Sequence, residues 1–537
     1  MTNRGFKAGA SREQVSLLPP RVEDYVKPDN PVRVIEAYVA ALDLVRLGFG
    51  HAERRVGVGQ PPYDPADLLK LYLYGYLNQV RSSRRLEREA CRNLELIWLL
   101  RGLTPGYRTI ANFRKENWAA LKAANRSFVL LARELDLIDG SLVAIDGAFF
   151  HGDASKSSIA TSTKLTEQVA ALDRDIDAYG AALEANDTAE ARSREDGHDG
   201  SGSGGNLSEK MAAVMAKRAQ AQADVDRLQA SGETQLSRTD ADARLLTKKG
   251  QTVAGYNVQI AVDAKHKLIV ASEVVNDGND SGQLYAMAAA AKEALGAEML
   301  PVAADVGYYN GDTLRACEAD AIVAYVPEAE KNNRLAKQGR FTLKEFIYDA
   351  EQDVYRCPAG AELRPMEGYK QDVGGKMHIR YAARQSVCRG CPLRSRCLTA
   401  KARRREVHRW EHQSVVDRHR ARMAQSQADT MMRRRAALAE HPFGTLKCRA
   451  GYRHFLVRGF NKVRGEWSLM ALCYNLGRVL NILGLEGFKA RLAEWVLLLL
   501  TAASPGTDRC LKALLRPLWT KNGSKFFLLP VPVHATA

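Results

Sequence analysis

Long apolar runs are missing from this chain. Its first residues, MTNRGFKAGASREQVSLLPP, lack the apolar core of a secretory signal and do not read as an export sequence. The longest apolar stretch near the other end, residues 495–503, falls well short of the ~20 residues that cross a bilayer. Both absences set the expectation of a cytoplasmic protein with no membrane partner. Cysteine is scarce as well, at nine in 537 residues, which excludes a disulfide scaffold and leaves metal binding as the better use of any clustered pair. Acidic charge is in deficit. Against 78 Lys and Arg stand 62 Asp and Glu, a formal charge of +16, and such a surplus favours a polyanionic partner, nucleic acid first.

What is present has ordinary globular composition, 46% hydrophobic and 26% charged, in a chain too long for one core. Residues 17–138 read as an all-helical N-terminal DNA-binding domain. Apolar residues recur at helical spacing in VIEAYVAALDLVRL and DLLKLYLYGYLNQV, and Pro65 after Asp64 has the form of a capped first turn. The basic segment SSRRLEREACRNLELIWLLRGLTPGYRTIANFRKEN, which contains Arg114, is laid out like a helix-turn-helix reader. An amphipathic bundle with a solvated basic face has the same pattern.

Residues 139–330 change to the periodicity of an α/β fold. SLVAIDGAFF is a short apolar strand, and GYNVQIAVDA with KLIVASEVV forms a hairpin. A helix, the strand MLPVAAD, a second helix and the strand AIVAYV follow. That is the element order of an RNase H-like mixed sheet. Two insertions interrupt it. Residues 161–235 carry a heptad seam that includes Leu165, Val169, Leu172 and Ile176 and predict an antiparallel helical hairpin. Residues 331–425 are a Cys-rich, basic, loop-rich insertion. The core resumes as helices over residues 426–485, and residues 486–537 form an extension without an assigned role.

Cutting a phosphodiester with two divalent metals requires hard carboxylate oxygens that converge from rigid elements. Asp146 closes the apolar run 142–145, and Asp305 follows residues 301–304. Strand ends in open α/β sheets are where ligand sites gather, and an unpaired carboxylate there is costly. Either residue alone reads as well as a turn or cap; together they occupy two expected positions of one fold. A third acid belongs on a helix after the last strand. Glu440 ends an Ala-rich helical stretch with Lys447 two turns later, and Glu466 competes from an amphipathic helix of its own.

The combination of AIDG, YNVQIAVD, ADVGYYNG, AEHPFGTLK and RGFNKVRGEWSLMALCYNLGRVL resembles the bacterial insertion-sequence transposases of the DDE class, with an InsH-type helical N-terminal domain. The resemblance implies an RNase H-like catalytic domain whose acidic triad, Asp146, Asp305 and Glu440, binds two Mg²⁺ ions, with Mn²⁺ an acceptable substitute. It also implies that Lys447 contacts DNA. The partners implied are double-stranded DNA, both the terminal inverted repeats of the element and the target, and a homodimer or higher oligomer on that DNA. Two positions depart from the family pattern: Arg433 stands where a tyrosine is usual, and Ala436 where an arginine is usual, with Arg435 adjacent. Two other readings share these features, an RNase H-like nuclease without strand transfer and a non-catalytic DNA-binding regulator derived from a transposase.

Cys357, Cys388, Cys391 and Cys397 include one CxxC knuckle and read as a tetrahedral structural Zn²⁺ site, or as four reduced cysteines of a small subdomain. The isolated Cys91, Cys317, Cys448, Cys473 and Cys510 read as buried side chains. Residues 393–449 hold 15 Lys or Arg against 5 acidic residues, a net of +10. A solvated charge run is the usual meaning of such a block, but its place beside Glu440 points to phosphate contact, with Arg433, Arg434 and Arg435 the leading residues.

Overall fold

The computed structural model describes residues 21–53, 61–195, 204–248, 250–328 and 337–503. The chain divides into two units, residues 1–110 with 476–537 and residues 111–475.

Helices build the first unit: α1 (Val32–Ala40), α2 (Pro65–Leu77), α3 (Ser83–Arg92), α4 (Leu94–Leu99) and the start of α5 (Tyr107–Glu116). The start of α2 is capped as its sequence predicts, with the Asp64 carboxylate accepting from the Ala66 amide at 2.8 Å and Pro65 in the first turn. Leu68, Leu69, Leu71, Tyr72 and Leu73 of α2 are all buried, so this helix is the centre of its unit. Two polar residues are buried on it in compensation. Lys70 pairs with Glu36 at 2.8 Å, and Asp67 with Arg101 at 2.7 Å. Gly102, at φ +79°, ends the turn after α4 by donating to the Ile97 carbonyl at 2.9 Å.

In the second unit, α6 (Trp118–Glu134) leads into β1 (Val143–His151). Next come β2 (Ile159–Thr161), α7 (Ser162–Glu195), α8 (Gly204–Ser231) and β3 (Gln235–Ser237). The central sheet continues with β4 (Arg244–Lys248), β5 (Gln251–Asp263), β6 (Ile269–Val275), α9 (Leu284–Leu295), β7 (Leu300–Ala303), α10 (Gly311–Ala319) and β8 (Ile322–Tyr325). β6 pairs with β5 and β5 with β1, all antiparallel; β1, β7 and β8 then run parallel. This is a mixed α/β sheet with the strand and helix order expected from the sequence. β4, which extends the sheet along the first part of β5, is an edge strand that RLLTK is too short and too polar to announce. Residues 254–263 of β5 are buried without interruption, as a central strand covered on both faces should be.

The first insertion is the expected helical hairpin. Leu165, Ala221 and Leu228 are buried between α7 and α8, Arg218 pairs with Asp173 at 2.9 Å, and the β2–β3 ladder closes the base. The second insertion corrects the expectation of a loop-rich segment. It contains a five-stranded antiparallel sheet of β9 (Ile347–Asp349), β10 (Val354–Arg356), β11 (Glu362–Val373), β12 (Lys376–Ala382) and β13 (Glu406–Trp410). Phe341, Phe346, Tyr355, Leu363, Tyr381 and Val407 form its own core. The overlooked signal is VGGK: Gly374 and Gly375 both take positive φ between the paired residues Val373 and Lys376, as a two-residue hairpin turn of the primed type demands.

After the short helices α11 (Gln385–Arg389) and α12 (Arg394–Cys397), the chain runs through α13 (Gln413–Met423), α14 (Ser426–Gly444), a π-helical turn over Thr445–Arg449 and α15 (Phe460–Ala503). The first part of α15 is locked to the sheet: Asn475 accepts from the Ile269 amide at 2.9 Å and donates to its carbonyl at 2.8 Å. Gly484, at φ 69°, breaks the run into two helices. Over Phe460–Leu497 the segment is long and apolar enough to cross a membrane, and 56% of its most apolar window is buried in protein.

Candidate active site beside two parallel strands

The register of the parallel pair decides where the first two acids lie. Val143 stands beside Val302 and Ala144 beside Ala303, so two residues beyond the last β1–β7 pairing Asp146, still within β1 and opposite Ile260 of β5, and Asp305, just past the end of β7, occupy equivalent positions. The run 142–145 that precedes Asp146 is fully buried, which fixes the strand and carries its carboxylate to the edge of the core. The Asp305 carboxylate caps the 3-10 turn Val306–Tyr308 by accepting from the Gly307 amide at 2.9 Å. Asp146 likewise accepts from the Gly147 amide at 2.9 Å.

Between the two carboxylates sits Arg435. Its Nη2 is 3.0 Å from Asp146 Oδ1 and 3.9 Å from Asp305 Oδ2. The guanidinium reaches them because α14 packs Ala428, Leu438 and Ala439 against Leu142, Ala144 and Ala303, and Leu438 and Ala439 lie three and four residues after Arg435, on its side of the helix. Burial pushes the Asp146 carboxyl above its usual range; Arg435 and the Gly147 amide pull it back, and the neighbouring Asp305 charge adds to the rise.

Glu440 rides on the same helix, exposed, with neither hydrogen bond nor ion pair among the described residues. It is five residues beyond Arg435, about 140° around the helix, and the structure does not bring it to the two aspartates. Its rival Glu466 is a buried structural acid, fully enclosed, which accepts from Arg114 Nη1 at 3.2 Å and from the Leu456 amide at 2.8 Å. Arg114, expected from the sequence to contact DNA, is 5% exposed and pairs with this buried acid. Arg433 and Arg434 are exposed on α14. Lys447 lies in the π-helical turn, donates to the Phe149 carbonyl at 2.7 Å and stands 4.4 Å from the centre of the Phe150 ring. Burial pushes its ammonium down to about 8, the Asp146 charge opposing.

A second layer of polar groups lies beside the pair, and sequence reasoning missed it. Asp280, 5% exposed, accepts at Oδ1 from Asn257 Nδ2 and Gln259 Nε2, each at 2.8 Å, and at Oδ2 from Lys248 Nζ at 3.2 Å. Gln259 in turn accepts from the Tyr308 hydroxyl. The segment DGNDSG reads as plain turn chemistry, which hid the acid. A usable signal was the spacing of Asn257 and Gln259, two amides sharing one face of an otherwise apolar strand. Gly147 is required here, since a Cβ on it would fall 2.3 Å from Gln259 Nε2 and 2.8 Å from Asp280 Oδ1.

The four cysteines of the second insertion come from three segments and line one cavity of ≈ 220 Å³, together with Leu363, Arg394 and Arg405. Burial pushes the Cys397 thiol up, against the pull of Arg405. Of the isolated cysteines, Cys317 and Cys473 are buried as expected, whereas Cys91 and Cys448 are exposed; Cys510 lies outside the described residues. No group of three or more His, Cys, Asp or Glu side chains among the described residues is arranged to hold a metal ion. The donor chemistry still fits a divalent ion between Asp146 and Asp305, because two hard carboxylates already face a single cation there. At the cysteines the donors are soft enough for zinc but are not gathered into a ligand set.

Two family models match the chain. One, described as a transposase DDE domain, covers residues 356–480 and so includes Arg435, Glu440 and Lys447. The other, described as a transposase domain (DUF772), covers residues 20–116. Asp146 and Asp305 fall outside both matches. No curated protein matches the chain. A transposase domain near the N-terminus and a transposase DDE domain over the segment that carries α14 together support an insertion-sequence transposase of the DDE class.

Proposed function

We propose that this protein binds the terminal inverted repeats of its own insertion element, cleaves the DNA strand there and joins the freed 3′-hydroxyl to target DNA. The observation that carries the reading is the convergence of Asp146 and Asp305 on Arg435, a residue of the helix that also bears Glu440. The strand order supports an RNase H-like core, residues 139–330 and 426–485, interrupted by the hairpin 161–235 and the Cys-rich insertion 331–425.

Two Mg²⁺ ions, or Mn²⁺ in their place, held by Asp146, Asp305 and Glu440 would supply activation of the attacking oxygen and stabilisation of charge at phosphorus and at the leaving oxygen. The chain's own residues prepare that site. Arg435 holds the two aspartates facing each other, and the amides of Gly147 and Gly307 fix their rotamers. Arg433 and Arg434, exposed beside Glu440, and Lys447 hold the phosphate backbone. The helical domain 17–138 reads the repeat, and a homodimer or larger assembly holds two ends at once. The protein works on double-stranded DNA in the cytoplasm, without a membrane. Cys357, Cys388, Cys391 and Cys397, which line one cavity, would hold a structural Zn²⁺, whose chemistry would be that of a closed thiolate site.

A duplex cut from the DNA that flanks the coding sequence, supplied with a free 3′-hydroxyl and Mg²⁺, tests this. Joined products support strand transfer. Hydrolysis alone makes the protein an RNase H-like nuclease, and binding without either makes it a non-catalytic regulator.

A further inference from the structure

Lys248 closes the edge strand β4, outside the helix that supplies Arg435 and the turn that supplies Lys447. Its side chain is 43% exposed, yet its ammonium is tied to Asp280, whose side chain is 6% exposed. An exposed lysine with rotamer-rich stem is ordinarily mobile and weakly paired. This one is held by an acid that is itself held twice over, by Asn257 and Gln259. Asp280 is wedged against the residues that follow both aspartates. Its Oδ1 is 2.8 Å from the place a Cβ on Gly147 would take, and its Oδ2 3.7 Å from that on Gly307.

The layer carries a cost that a purely structural ion pair would not need. Asn257, fully buried, turns its amide to Asp280 and leaves Oδ1 without a hydrogen-bond donor among the described residues, which is unfavourable for a buried acceptor. The charge of Lys248 also reaches the site: it acts on Asp146 and on Lys447. The cleft beside Asp146 thus has cations from two directions, Arg435 and Lys447 from the C-terminal elements and Lys248 from the sheet edge. Of the three, Lys248 is the one both open to solvent and oriented by a buried acid.

We propose that Lys248 is a further DNA-contacting residue, a cation for a backbone phosphate next to the scissile position, and that Asp280 is the positioning residue that aims it. The inference rests on the reading of this chain as a DNA transposase. Asp280 touches neither substrate nor reacting atoms; it acts through Lys248, and through Gln259 and Tyr308 it also supports the turn that carries Asp305.

The test measures metal-free binding of a duplex spanning the DNA that flanks the coding sequence, as a function of salt, for wild type, K248Q, K248R, D280N and the double variant K248Q/D280N. A lost phosphate contact lowers the slope of log affinity against log salt by about one, an effect that a general loss of stability does not produce. Expected are a reduced slope in K248Q, recovery in K248R, the same reduction in D280N, and no further change in the double variant. K248Q with the wild-type slope overturns the proposal, and additive losses in the double variant overturn the role of Asp280. Because Lys248 is half-exposed, K248Q keeps its fold and decides the matter even where D280N does not fold. A wild-type protein without salt-dependent binding overturns the transposase reading instead, and is distinguished by failing before any variant is compared.

Discussion

Arg435 and Asp146 form an ion pair at 3.0 Å, and Asp305 Oδ2 lies 3.9 Å from the same guanidinium nitrogen. A cation held in the chain's own side chains therefore stands where two carboxylates would share a divalent ion. The pair is largely shielded from water, with side-chain exposures of 15% for Arg435 and 18% for Asp146, so it matters to the metal-free fold.

R435Q should lower the stability of the metal-free protein by about 1–3 kcal/mol, the cost of leaving a shielded charged group without its partner. The same variant should gain more in melting temperature from added Mg²⁺ than wild type does, because the ion no longer competes with the guanidinium. Denaturant unfolding and thermal melting with and without Mg²⁺ check both. A wild-type melting temperature and an unaltered Mg²⁺ response in R435Q would contradict this role for the guanidinium.

The two candidate glutamates should separate cleanly. E440Q should lose Mg²⁺-dependent strand cleavage while folding normally and still binding DNA; D146N and D305N should lose cleavage too, D146N with some loss of stability from the broken pair with Arg435. E466Q should instead lose stability, by roughly 3–5 kcal/mol, because it breaks the buried ion pair with Arg114. Cleavage assays beside denaturant melts read the difference; an inactive but fully stable E466Q would exchange the two roles.

Burial raises the Asp146 carboxyl above its usual range, and ion binding needs it deprotonated. The acid limb of the cleavage profile should therefore lie above the ordinary carboxylate range, and R435Q should move it higher. The sign for stability is opposite. Between the ordinary and the raised value the folded protein binds more protons than the unfolded chain, so this group's contribution to stability is present at low pH and lost as pH rises through the raised value. D146N should remove that dependence from the metal-free unfolding curve.

Lys447 is pushed down to about 8 by burial. DNA affinity should fall as pH rises past about 8, where the ammonium discharges. From there up to the ordinary lysine range the unfolded chain binds a proton that the folded one does not, so stability gains with pH across that window. K447M should melt no lower than wild type at neutral pH while binding DNA more weakly. A flat affinity profile between neutral and alkaline pH would remove Lys447 from the DNA contacts.

Purified protein should contain about one zinc per chain if the four cysteines close as a tetrahedral site. Chelation should then lower the melting temperature and release protons on reloading, since thiols such as that of Cys397, raised by burial, must deprotonate to bind. Elemental analysis without zinc would leave the cavity as four reduced cysteines.

Local patterns carried much of this protein. The Asp64–Pro65 start of α2, the order of β1, β5, β6, α9, β7, α10 and β8, and the heptad hairpin are short-range matters of capping and periodicity, and all were legible from the residues. So were the positions of Asp146 on the first strand of the sheet and of Asp305 at the end of a later one. The five-stranded sheet of the second insertion was hidden by its charged, short strands, although the Gly374–Gly375 turn announced one hairpin. Tertiary structure alone decided the rest. The parallel register of β1 and β7 put the two aspartates side by side, and the packing of α14 brought Arg435 to them across 289 residues of sequence. Other long-range contacts buried Arg114 against Glu466 and joined Lys248 to Asp280. Ion pairs of that kind are set by distances between elements far apart in the chain, and nothing in the local spacing of either partner encodes them.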